Sequence, residues 1–96
     1  MHFRVVLKHF AAMALPTQPV SLSVEQIADL NRRLSQMRHD INNNLSVLVA
    51  AVELVRYKPD ALEKWLASIA EQPVRISESI REFSAEFEKT FGITRP

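Results

Sequence analysis

The chain has 96 residues, which make one small domain at most and bury only a modest core. Its formal net charge is +1, so there is little electrostatic reason to expect nucleic-acid binding. The absence of cysteine excludes disulfides, thiolate catalysis and cysteine-ligated metals, fits a cytoplasmic location, and leaves histidine, carboxylate and amide groups to carry any site chemistry.

A single glycine, and no proline between Val20 and Lys58, favour long helices over a β fold, so the expected class is all-α. Residues 1–22 read as a short N-terminal extension and linker. Within it Phe3, Val6, Leu7, Phe10, Met13 and Ala14 have helical spacing, while Phe3, Val5 and Leu7 also alternate as in a strand. Helix is the favoured reading and a short strand stays open. A signal peptide is not expected, because Lys8 and His9 interrupt the apolar run and no small-residue cleavage site follows. Pro16-Thr17-Gln18-Pro19 is then an extended linker. A membrane helix is not expected either: the longest apolar candidate, Leu45 to Val55, contains Glu53 and falls short of the ~18 residues needed.

The main domain is expected over residues 23–91. Ser23 can cap a helix with Gln26 at the reciprocal capping-box position, and Glu25 is favourable near the positive helix end. This first helix should run to about Tyr57. Heptads read from Ile27 place Leu30, Leu34, Met37, Ile41, Asn44, Leu48, Ala51 and Val55 on one seam, with Arg32, His39, Ser46 and Glu53 as a polar stripe on the far side. Val49 and Ala50 lie beside that stripe. They are either covered by a wide bundle interface or form a docking patch.

Pro59-Asp60 makes a short turn, with Asp60 available as the next cap. The second helix carries Leu62, Leu66, Ile69, Pro73, Ile76, Ile80, Phe83 and Phe87 in alternating four- and three-residue steps, with a kink expected near Glu71 to Pro73. Trp65 should pack at an edge. Gly92 is placed to end the helix and opens a C-terminal tail, residues 92–96, which should be frayed from Ile93 to Pro96. The expected architecture is an antiparallel two-helix hairpin. Because each helix has a wide apolar stripe and only one neighbour, two copies should dimerise into a four-helix bundle with crossings of roughly 20°. Asn44, polar on the seam, would pair across the homodimer interface and fix its register.

The stretch Met37-Arg38-His39-Asp40-Ile41-Asn42-Asn43-Asn44-Leu45 puts an imidazole on the outer face of a helix, where it fills no core and caps no terminus. His39 to Leu45 resembles the phosphoacceptor box of the dimerisation and histidine-phosphotransfer domain of bacterial sensor histidine kinases: His, acid, apolar, polar, Asn or Thr, often Pro, then Leu. Asn44 stands where that proline often is. The resemblance covers residues 23–91 and implies the same dimeric bundle with two outward histidines. It implies His39 as phosphoacceptor, Asp40 as its orienting base, and Asn43 as the residue that positions water against the aspartyl phosphate of a receiver domain. A neutral imidazole is a competent nucleophile near pH 7, which suits the role.

The departures matter as well. A sensor kinase carries an ATP-binding domain after this hairpin, whereas here the sequence reaches Pro96 with one glycine in all and no Gly-rich nucleotide loop, so it should not autophosphorylate. Met1 and the short N-terminal segment favour a complete small protein over a piece of a longer kinase. The expectation is a two-component phosphorelay protein that passes a phosphoryl group between His39 and a receiver aspartate. Its partners would be a response-regulator receiver and a histidine kinase acting in trans, with Arg38, Asn42, Ser46, Val49, Ala50 and Glu53 as the partner-binding surface. The alternatives are a phosphatase of a phosphorylated receiver and a non-catalytic helical-bundle adaptor. No cofactor is expected, and no metal, since His2, His9 and His39 lack ligand spacing.

Overall fold

In a computed structural model the chain is all-α, and the residues described are 14–94. Two long helices account for most of them: α1, Val24–Tyr57, and α2, Leu62–Phe91, joined by a 3-10 turn at Pro59–Ala61. Among the described residues no helix is long and apolar enough to cross a membrane. The helix and strand readings for residues 3–13 lie outside the described residues.

The start of α1 is set by Ser23, whose extended backbone precedes the first turn. Its hydroxyl accepts from the Gln26 N–H at 3.1 Å, while the Gln26 side-chain oxygen accepts from the Ser23 N–H at 2.8 Å. Two otherwise orphaned donors are thereby satisfied. The helix then continues for 34 residues and ends at Tyr57, where Pro59 follows. Asp60 is not the cap of α2. It sits inside the 3-10 turn, and Ala61 precedes the helix without any side-chain cap bond. The physical reason is Pro59: its fixed φ starts a turn of helical sense at once, so the chain enters α2 already wound and leaves no extended residue to serve as a cap.

Helix α2 runs unbroken through Pro73 and closes at Gly92, whose φ of 69° lies in the left-handed region. There Ile93 N–H reaches back to the Glu88 carbonyl at 2.8 Å. The tail expected to fray from Ile93 is tied down at Thr94, which exchanges two backbone hydrogen bonds of 3.0 Å with Ala14. Two segments 80 positions apart in the sequence are thus clasped at the end of the helix pair.

The α1 seam behaves as its heptads indicate. Asn44 and Ala51 are buried, and Leu30, Leu34, Met37, Ile41, Leu48 and Val55 are half-buried, with Ile27 exposed at the end. The α2 seam divides. Ile69, Ile76 and Phe83 are half-buried, whereas Leu62, Leu66, Pro73, Ile80 and Phe87 are exposed, and the buried residue of this helix is Gln72. Its amide donates to the Ser68 carbonyl at 3.1 Å, which satisfies a polar group out of water. Across the two helices, Arg33 comes within 4.0 Å of Glu86. One feature dominates the packing: Ala51 is the sole buried apolar residue among those described, and no large side chain is fully enclosed.

Candidate functional site

The site lies in the middle of α1, where backbone hydrogen bonding is complete and side chains project from a rigid rod. At about 100° per residue, Asn43 falls about 40° from His39 and one turn further on, so the two share a stripe. Both are exposed. Asp40 falls about 100° round from His39, toward α2, and is half-buried. His39 and Asn43 therefore face outward together, and Asp40 occupies the edge of the groove between the helices.

That groove is lined from α1 by Arg32, Arg33, Gln36 and Asp40, and from α2 by Glu82 and Glu86. Its charges are largely spoken for. Asp29 accepts from Arg33 at 2.8 Å and from Arg32 at 2.6 Å, and these two hydrogen bonds, Arg33 first, hold its carboxyl below the usual carboxylate range. The same Asp29 bond raises the Arg33 guanidinium further above its ordinary value. Asp40 is tied to neither arginine. Its Oδ1 accepts from the Gln36 Nε2 at 2.9 Å.

The surface expected to meet a partner is exposed throughout: Arg38, Asn42, Ser46, Val49, Ala50 and Glu53 are all solvent-accessible, with Val49 64% exposed. Two of these are engaged locally. Ser46 turns its hydroxyl back to the Asn42 carbonyl at 2.9 Å, and Glu53 pairs with Arg56 at 3.2 Å. Ser46 thus offers a partner its oxygen lone pairs more readily than its proton. Among the described residues no three His, Cys, Asp or Glu side chains gather closely enough to hold a metal ion.

Sequence reasoning passed over Gln36. Its signal was present, since Gln36 stands four residues before Asp40 and the i, i+4 spacing brings an amide to a carboxylate on a helix surface. The Arg33 to Glu86 contact was not available in that way, because it depends on the register of one helix against the other. Asn44, expected across a homodimer seam, is buried at 7% exposure within a single chain, on the side of α1 that faces α2.

No family model, no curated protein and no solved structure matches this chain.

Proposed function

We propose that the chain is a two-component phosphorelay protein that accepts a phosphoryl group on His39 and exchanges it with the aspartate of a receiver domain. The observation that carries this reading is the outward placement of His39 and Asn43 on one exposed stripe of a rigid helix, with Asp40 beside them. A phosphoryl acceptor must approach an aspartyl phosphate held on another protein, so an imidazole standing clear of its own fold is what the reaction requires. Arg38, Asn42, Ser46, Val49, Ala50 and Glu53, all exposed on the same helix, form the face that a receiver meets, with a histidine kinase in trans as the phosphoryl source. Nucleotide binding is left to that kinase, and the setting is cytoplasmic.

The working unit is a homodimer of antiparallel hairpins in a four-helix bundle. Its support is the unfinished packing. Ala51 is the sole buried apolar residue among those described, while Ile27, Leu45, Val52, Leu66, Ile80 and Phe87 are exposed. In two antiparallel right-handed helices, equal rotations away from the shared seam lead to the same face. Ile27, Leu45 and Val52 lie on α1 about 80–100° round from the buried Asn44, and Leu66, Pro73, Ile80 and Phe87 lie on α2 about 60–120° round from the buried Gln72, in the same sense. One face is accordingly apolar on both helices. A second copy covers it and supplies the core that one chain lacks, while the His39 stripe stays on the outside.

Incubation with receivers phosphorylated on aspartate tests the reading. Loss of phosphoryl from the receiver with its appearance on the chain, abolished in His39→Ala, is the expected result. Release of phosphate with no label on the chain, abolished by Asn43→Ala and not by His39→Ala, would replace it with the phosphatase reading. Receiver binding that persists in both variants with no turnover would leave an adaptor.

A further inference from the structure

Asp40 adjoins His39 in sequence, but adjacent positions on a helix do not face one another, so the carboxylate is poorly placed to orient the imidazole directly. Gln36 is four residues before Asp40 and three before His39. Long side chains on a helix lean toward its N-terminus, over the preceding turn. Both functional side chains therefore lean over the same residue. Half of the resulting link is present in the structure: Gln36 Nε2 donates to Asp40 Oδ1 at 2.9 Å. A carboxylate only accepts, so this bond assigns the amide nitrogen to the Asp40 side and leaves the carbonyl oxygen as an acceptor at the other end. Arg33, in the same groove, is engaged by Asp29 and Glu86 and does not compete for Asp40.

We propose that Gln36 is a positioning residue that couples Asp40 to His39. Its Nε2 holds the carboxylate, and its Oε1 accepts the N–H of one His39 ring nitrogen, so that the other ring nitrogen keeps its lone pair and faces outward. This rests on the phosphoacceptor reading of His39. In the transfer step the bare nitrogen attacks phosphorus and an N–P bond forms. The bond from phosphorus to the receiver aspartate oxygen breaks, and its electron pair leaves on that carboxylate. The proton on the other ring nitrogen stays in place against Gln36 Oε1, and the positive charge developing on the ring is met by that carbonyl and by the Asp40 charge behind it. An amide is suited to this bridge because it donates at one end and accepts at the other, which neither alanine nor glutamate can do.

The test uses the full chain, phosphoramidate as the phosphoryl donor (ammonia leaves with the electron pair of the P–N bond), and 15N spectra of the His39 ring, assigned by comparison with His39→Gln. Wild type should hold one neutral ring tautomer, and Gln36→Ala should relax to the mixture of an unrestrained imidazole. Labelling of His39 should slow about ten-fold in Gln36→Ala, the scale of one charge-assisted hydrogen bond, and should slow in Gln36→Glu as well. Added to Asp40→Asn, Gln36→Ala should cost little more, because the bridge is already broken. Equal labelling rates and an unchanged ring spectrum in Gln36→Ala would overturn the positioning role and leave the phosphoacceptor reading standing. If wild type takes no label, both fall together.

Discussion

Arg33 and Glu86 approach to 4.0 Å across the two helices, and this contact is positioned by a third residue, Asp29, which grips the same guanidinium at 2.8 Å one turn earlier on α1. A helix-surface pair is by itself a weak contact, screened by solvent. Here it also aims the arginine at α2.

Replacing Asp29 should accordingly change how stability responds to acid. Its carboxyl has a lowered pKa in the folded chain, below the ordinary 3.8, with the Arg33 bond as the main cause and the Arg32 bond next. A group of this kind stabilises the fold fully above its unfolded value and loses that contribution as pH falls through the folded value. Asp29→Asn should therefore flatten the acid limb of a urea-midpoint profile below pH 3.8 while shifting the midpoint at neutral pH downward. An acid limb identical to that of wild type would show that the pair contributes nothing.

The start of α1 offers a cleaner energetic test. Ser23→Ala removes the hydroxyl that accepts from Gln26 N–H and should cost about 1 kcal/mol, read as a lower denaturation midpoint with an unchanged slope. Gln26→Ala should cost less, since it leaves that bond in place and removes the reciprocal one.

At the other end, Gly92→Ala isolates backbone conformation from packing. A Cβ at this position would meet nothing within 4 Å, so no clash is involved. The φ of 69° alone should cost about 1 kcal/mol. A neutral result in a thermal melt would mean that the helix can end without its left-handed residue.

Self-association is tested by two exposed apolar residues on different sides of α2. Ile80, 48% exposed, lies on the apolar face, whereas Val74, 56% exposed, points away from it. Ile80→Glu should convert a dimer to a less helical monomer in sedimentation at micromolar concentration. Val74→Glu should leave both mass and helicity unchanged. The two residues are alike in exposure, so their difference would report the interface and not general hydrophobicity.

Much of this fold is legible in the chain. Ser23 and Gln26 announce the start of α1, Pro59 its end and Gly92 the end of α2, because each acts through local backbone chemistry. The α1 heptads foretell the buried side because apolar side chains at this spacing share one stripe of the helix. What α2 shows is the limit of periodicity: alternating steps of four and three define one stripe, yet only Ile69, Ile76 and Phe83 turn to α1, while Leu66, Pro73, Ile80 and Phe87 form the stripe's outer edge. Which edge meets which neighbour depends on helix rotation, and Gln72 is buried for that reason. Asp60 misleads because a proline beside it supplies a turn that needs no side-chain cap. Ala14 and Thr94 pair through main-chain atoms, which carry no residue signature. At the site, the outward phase of His39 and Asn43 was readable from their spacing, whereas the turn of Asp40 toward Gln36 is a choice of side-chain direction that spacing alone does not make.

His39 is exposed, so replacing it should leave stability within about 0.5 kcal/mol of wild type and make it a clean functional probe. The most direct test of the account is peptide mapping of acid-labile phosphate on the protein purified from its own cells, with His39→Gln alongside. The account predicts a phosphorylated histidine in the peptide containing His39 and none in the variant. A chain that carries no such phosphate, and takes none after exposure to phosphorylated receivers and to kinases in cell extract, would contradict it.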